Sequence, residues 1–334
     1  MNDVTTVGID LAKNVFSLHG VDATGAVVLR KTVSRAKLSA VVAQLPPCLI
    51  GMEACSGAHE WARRFAPFGH TVKLMAAKFV AAYRKSGKND GNDAEAICEA
   101  VSRPSMRFVP VKSREQQAQL CLHRVRSGFV EERTATLNRL RGLLAEFGHV
   151  LPLGANALRT QVPAVLEDLP ALAADAARDL LEHVRVLDAR ILGYERQIQA
   201  HVRSSQLAQR AQTLRGVGPL TASAMVASVG EAREFKNGRQ FAAWLGLVPR
   251  QHSTGGKTRL GQITRSGDGY LRTLLVLGAR AVLRRAPHER DPLSRWALAL
   301  RERRGYHRAC VAIAAKNARH VWAALAGRTP ALSA

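Results

Sequence analysis

"TTVGIDLAKNVFSLHGVDATGAVVLRKTVS", residues 5–34, is built from brief runs of Val, Ile, Phe and Leu separated by turn residues, a pattern that suits short strands on a half-buried sheet. It reads as a three-stranded meander with a turn at Asp22–Gly25. "RAKLSAVVAQLPP" (35–47) then has helical spacing and stops at Pro46–Pro47. "CLIGMEAC" (48–55) is a short apolar strand, "GAHEWARRFAPFG" (57–69) is helical again, and "HTVKLMAA" (70–77) is a fifth strand. With a helix running on from "KNDGNDAEAI" (88–97), the order is that of an α/β RNase H-like domain.

Four acids stand out on this frame. Asp10 ends the first strand and Glu53 the fourth, each a single carboxylate in an apolar run, which is costly to bury unless it is paired, protonated or bound to a cation. Asp90 and Asp93 lie three apart at a helix start. Taken alone, that spacing most often means capping, with Asp90 or Asn92 as the cap. In an RNase H-like sheet, however, the first and fourth strands are neighbours. Four carboxylates at one sheet edge are what two Mg²⁺ ions, about 3.5–4 Å apart, require for in-line attack on a phosphodiester.

Charge points to the same polymer. The 334 residues carry a formal charge of +23 with a pI near 11.0, and the natural partner of such a surface is a polyanion, nucleic acid first. Residues 1–113 hold 15 Lys/Arg against 9 Asp/Glu, 114–205 hold 12 against 11, and 206–334 hold 22 against 6. The last third is therefore the expected seat of phosphate contacts. Apolar residues at 47% can supply real cores and exclude wholesale disorder. Five scattered cysteines without C-x-x-C spacing argue against a disulfide framework or zinc site. The start "MNDVTTVGIDLAKNVF" lacks a leader pattern, and no long uncharged apolar stretch occurs. A cytoplasmic location is expected.

From about 113 to 147, Leu120, Val125, Phe129, Leu137, Leu140, Leu144 and Phe147 suit one long helix. Leu180, Val184, Leu187, Ile191, Tyr194 and Ile198 step by four and three, a coiled-coil seam expected to pair two protomers. "VLPLGANALRTQVP" before it reads as a linker. In "LRGVGPLTASAMVASVG" a G-x-G turn joins two helical patterns, a helix-hairpin-helix-like motif whose Gly216 and Gly218 would let backbone N–H groups approach phosphate. The basic, Gly-rich stretch that follows adds Arg250, Lys257, Arg259 and Arg265 as expected nucleic-acid contacts. The expected division is 1–150, an acid-bearing domain; 151–206, a coiled-coil connector; and 207–334, a mainly α domain.

The order D…E…D-x-x-D, with "VGIDLAKNVFSLHGVD", "GMEACSGAHEWAR" and "KNDGNDAEAICEA", closely resembles the DEDD transposases of the insertion sequence 110 family, and the local wording is similar to its insertion sequence 1111 branch. "FAAWLGLVPRQHSTGGKTRLGQITRSGDGYLR" resembles that family's second domain, so the likeness spans nearly the whole chain. The resemblance implies a RuvC-like first domain, dimers and tetramers, and a structured bridge RNA that pairs with donor and target DNA. It also implies a serine nucleophile, which falls on Ser253, with acids and serine drawn from different protomers. By chemistry alone Ser253 would pass as a turn residue, and adjacent His252 would not face it. A Holliday-junction-type nuclease using the acids without the serine, and a non-catalytic nucleic-acid binder, are the competing readings. The first leaves the Ser253 loop without a task, and the second leaves four ordered acids unexplained.

Overall fold

The structure, a computed structural model, describes residues 3–85, 87 and 89–328. By contacts the chain divides after Ser113 into two units.

In the first unit, β1 (Thr6–Leu11), β2 (Val15–Val21), β3 (Val27–Ser34), β4 (Leu49–Glu53), β5 (Thr71–Met75) and the two-residue β6 (Phe108–Val109) form one sheet in the order β3-β2-β1-β4-β5-β6. The expected meander is present: β1, β2 and β3 run antiparallel. Its turn is held by the Asp22 carboxylate, which accepts from the Thr24 and Ala26 amides at 2.8 and 3.0 Å. β1, β4 and β5 are parallel, and β6, which the sequence reading missed, pairs antiparallel with β5. Alternation then sorts the side chains. Val7, Ile9, Phe16, Leu18, Ile50 and Met52 meet α1 (Arg35–Ala43) and α2 (Ala58–Phe65) on one face. The short α3 (Ala77–Val80) and then α4 (Asp90–Val101) follow β5, and α4 covers part of the other face.

The second unit opens with α5 (Arg114–Glu146), followed by α6 (Ala155–Val165) and α7 (Ala171–Ser204). Arg126 with Glu195 and Arg133 with Asp188 (2.9 Å) show α5 and α7 to be antiparallel. Leu137, Leu140 and Leu144 of α5 pack with Leu181 and Val184 of α7. The remaining elements are α8 (Gln206–Gln212), α9 (Pro219–Val229), α10 (Gly238–Trp244), the hairpin β7 (Pro249–Thr254) and β8 (Lys257–Ile263), α11 (Gly269–Arg285), α12 (Pro292–Arg304) and α13 (Tyr306–Leu325). Alanines and leucines of α9, α11 and α13 build its core.

Two expectations change here, while α5, the first element after the contact division at Ser113, lies along α7 for most of its length. The stretch read as a linker holds most of α6, whose Leu158 and Val162, four apart, are fully buried. The seam expected to pair protomers is filled within the chain: Val184, Leu187, Ile191 and Ile198 are buried, and α5 is a partner of nearly equal length. Leu187→Asp with Ile191→Asp should therefore not release monomers but lower stability by about 3–5 kcal/mol for each unpaired buried charge, read as a fall in urea midpoint; an unaltered midpoint would contradict this packing.

His123 on α5 is a second buried tie. Its Nδ1 lies 3.0 Å from the Tyr270 hydroxyl at the start of α11, and its Nε2 lies 3.0 Å from Ser223 Oγ on α9. Burial above all, then the charge of Arg126, pushes its pKa down to about 4. The imidazole stays neutral in the fold while the unfolded chain takes up a proton below about 6.5. Stability is thus full above that pH and is lost as pH falls from about 6.5 to 4, by up to about 3 kcal/mol. His123→Gln should flatten that part of the denaturation-versus-pH curve.

Candidate active site

The register of the sheet places the first two acids. Gly8 pairs with Gly51 and Ile9 with Met52 across the parallel β1–β4 ladder, so Asp10 and Glu53 are its next rung. On the other side Gly8 faces His19 and Asp10 faces Ser17. By alternation Gly8, Asp10, Gly51, Glu53, Ser17 and His19 share the α4 face. The glycines let the helix down: a Cβ on Gly8 would run into the backbone of Ala94 and Cys98, and one on Gly51 would sit 2.7 Å from the Val101 Cβ. α4 therefore crosses the sheet from β4 at its C-terminal end towards β1 and β2, and its first turn carries Asp90 and Asp93. Asp90 is exposed and lines a cleft of about 520 Å³ with Ser17, His19, Arg30, Thr32 and Glu95.

Capping does not explain the two aspartates. Asn89 is the cap, its side-chain oxygen accepting from the Asn92 amide at 2.8 Å. Both carboxylates lie in the first turn, where the helix dipole favours negative charge. Asp93 is held by Arg84, whose Nε lies 2.6 Å from Oδ1, an ion pair without hydrogen-bond alignment. Cys55, just after β4, reports on the other two. Crowding around its sulfur pushes the thiol pKa up first, and the charges of Glu53 and then Asp10 push it further. The structure thus brings Asp10 and Glu53 together beneath the helix that carries Asp90 and Asp93. Among the described residues no three His, Cys, Asp or Glu side chains converge closely enough to hold a metal ion. The donor chemistry still fits a hard divalent cation, since carboxylate oxygens suit Mg²⁺, and Arg84 supplies positive charge at one of those donors. Sequence reading missed Arg84, which no spacing links to Asp93, and Ser17, which the strand register alone could have placed opposite Asp10.

Ser253 lies in the second unit on β7, opposite Thr258 of β8, in a hairpin exposed on both faces. Gly255 and Gly256, at φ +55° and +76°, form its two-residue turn, the left-handed pair that such turns demand. These glycines therefore shape the hairpin. Gln251, on the same face, donates from Nε2 to Ser253 Oγ at 2.8 Å. His252 pairs with Arg259 and Thr254 with Lys257, so His252, Arg259 and Lys257 occupy the face away from Ser253. Arg250 reaches the Thr264 carbonyl at 3.3 Å. Arg265 is exposed with φ +54°.

The two glycines of the G-x-G turn differ. Gly216, at φ +80°, packs against α11 and α13, where a Cβ would lie 2.7 Å from Val282 and 2.9 Å from Asn317. Gly218, before α9, faces open space. Arg215 beside them is paired with Glu289 and Asp291.

Comparison with known proteins gives the family. Residues 7–149 match the IS110-type DEDD transposase family, and residues 208–294 match the transposase IS116/IS110/IS902 family. The chain is 52% identical over 332 residues to a "Probable family 20 transposase" of Pseudomonas aeruginosa, covering 98% of both chains. The chain belongs to this transposase family. It is also 43% identical to the "Transposase for insertion sequence element IS1111A" of Coxiella burnetii, over 97% of this chain and 90% of that one. The figure is 40% for the IS1328 transposase of Yersinia enterocolitica, over 96% and 97%. Transposases of this family are enzymes of DNA strand transfer, and a DEDD family suggests dependence on a divalent metal. No helix of the described residues is long and apolar enough to cross a membrane.

Cys55 offers a readout of the acids that needs no DNA. In a Cys121→Ser background, which removes the other exposed thiol, Mg²⁺ should speed iodoacetamide labelling of Cys55 severalfold near pH 8, because a cation at Glu53 and Asp10 favours the thiolate. Glu53→Gln should do the same without metal. A rate indifferent to both would separate Cys55 electrostatically from the acids.

Proposed function

We propose that this insertion-sequence transposase cuts DNA at the carboxylate site and rejoins it through a Ser253 ester, directed by a structured bridge RNA. The observation that carries the reading is the adjacency of Asp10 and Glu53 on parallel strands, under the helix turn that bears Asp90 and Asp93. Divalent cations, two in the fullest form of the reading, would be held by Asp10, Glu53, Asp90 and Asp93 and would neutralise charge at the phosphodiester. Asp93 must first leave Arg84, which is then free for a phosphate oxygen.

Ser253 Oγ already accepts a hydrogen bond from Gln251, so its own proton remains available to give up. Attack forms an Oγ–phosphorus bond and breaks the bond to one strand's sugar oxygen, which leaves as a hydroxyl. Attack by the hydroxyl of another strand reverses these events and restores the serine, so the bond energy is kept through the exchange without an external supply. Hydrolysis at the acids alone would discard it.

The guide RNA rests on the family likeness and on the basic surface, which serves either backbone. The same likeness suggests dimers or tetramers with acids and serine from different protomers; these would require a surface other than the α7 seam.

Wild type, Asp10→Ala and Ser253→Ala should be incubated with labelled target DNA, guide RNA and Mg²⁺, then denatured. A slow-migrating protein–DNA adduct is expected for wild type alone, with cleavage by Asp10→Ala at least about a hundredfold slower at unchanged DNA affinity. Recombination by Ser253→Ala would remove the serine from the mechanism and leave a resolvase-like nuclease.

A further inference from the structure

The corner between α12 and α13 lies beyond Ser294, where the second family match ends. All eight residues from 301 to 308 are exposed. They include Arg301, Arg303, Arg304 and Arg308, with Glu302 the one acid among them. None of the four arginines is joined to a carboxylate among the described residues. Elsewhere in this unit Arg215 and Arg233 are paired with acids, and Arg272 is taken up by backbone carbonyls.

Helix electrostatics explains three of the four arginines and not the fourth. Arg301, Arg303 and Arg304 occupy the last turn of α12, where the negative end of the dipole favours cations. Gly305, at φ +82°, then turns the chain directly into α13. The first turn of α13 holds Tyr306, His307 and Arg308 and no acid, so a cation sits at the positive end of a helix, where it is disfavoured. Such a local conflict is expected where a ligand, rather than the fold, selects the residues.

Tyr306 supplies the second element. It is 43% exposed, and its ring meets the edge of His307 at 5.5 Å. The tryptophans of the same two helices are covered by cations, Trp296 by Lys316 at 4.8 Å and Trp322 by Arg328 at 5.0 Å. No such cation covers Tyr306 among the described residues.

We infer that the α12–α13 corner binds an unpaired stretch of DNA, with the arginines on successive phosphates and Tyr306 stacked on a base. A duplex would satisfy the arginines equally but offers no open base face to the ring. DNA is the occupant because it is the substrate of this family, and exchanging strands requires nucleotides to unpair at the point of exchange. The inference stands apart from the four acids and from Ser253.

The test is fluorescence anisotropy of the full chain with a labelled single-stranded DNA, its duplex, and an RNA of the same sequence, over a range of salt. Tyr306→Ala should weaken single-strand binding about tenfold, Tyr306→Phe should retain it, and both should leave the duplex within about twofold. Arg303→Ala with Arg304→Ala should reduce the log–log salt slope on the single strand by about 1.4. Because these side chains are exposed, melting temperatures should stay near wild type. Equal losses on duplex and single strand, an unchanged single-strand affinity, or a Tyr306-dependent preference for RNA would each overturn the assignment.

Discussion

The contact between α4 and the glycines of β1 and β4 is the constraint from which the acid site follows. A strand residue with a side chain at Gly8 or Gly51 would hold the helix off the sheet, since α4 backbone and Val101 already fill the space of a Cβ. Because both glycines precede an acid by two residues, the alternation that turns them to the helix also turns Asp10 and Glu53 to that face. Close packing and site geometry are thus set by one register. A one-residue slip in either strand would move its acid to the opposite face, among the side chains packed on α1 and α2.

Electrostatics then decides how such a cluster survives folding. Like carboxylates raise one another's energy, and Cys55 lies in the same field: burial first, then the charges of Glu53 and Asp10, push its thiol pKa up. Two compensations are built in. The start of α4 lends its dipole to Asp90 and Asp93, and Arg84 pairs with Asp93, whose side chain is only 13% exposed. Shielding raises the cost of leaving either charge unpaired, so the pair holds Asp93 ionised without implying a large net gain in stability. Any cation taken up by Asp93 must therefore compete with a guanidinium already in place.

Much of the first unit was legible in the sequence because strand order, turn chemistry and lone acids are local signals. The meander, its Asp22 turn and the adjacency of the first and fourth strands all appear where the pattern puts them. The neighbours of the site were not legible. Arg84 meets Asp93 nine positions on with no helical or strand spacing to link them, and the cap fell to Asn89 although Asp90 and Asn92 are equally good cap types. In the hairpin, strand alternation places Lys257 and Arg259 away from Ser253, a consequence hidden while the stretch read as a loop. Gly216 carried a phosphate-binding pattern and also serves close packing against α11 and α13, a role that only what lies opposite reveals.

The α7 seam shows the same limit from another side. Apolar steps of four and three establish that a helix has a partner along one stripe, but they are the same whether that partner is a second protomer or a distant segment of the same chain. Length resolves the choice. α5 and α7 have 33 and 34 residues, each about 50 Å at 1.5 Å per residue, and the intervening segment with α6 is enough to return the chain antiparallel. A connector of that length makes pairing within the chain effectively concentration-independent, whereas a second protomer must be recruited from solution. The paired charges along the stripe, Arg126 with Glu195 and Arg133 with Asp188, fix this antiparallel register. The seam is therefore occupied as soon as α5 and α7 have formed.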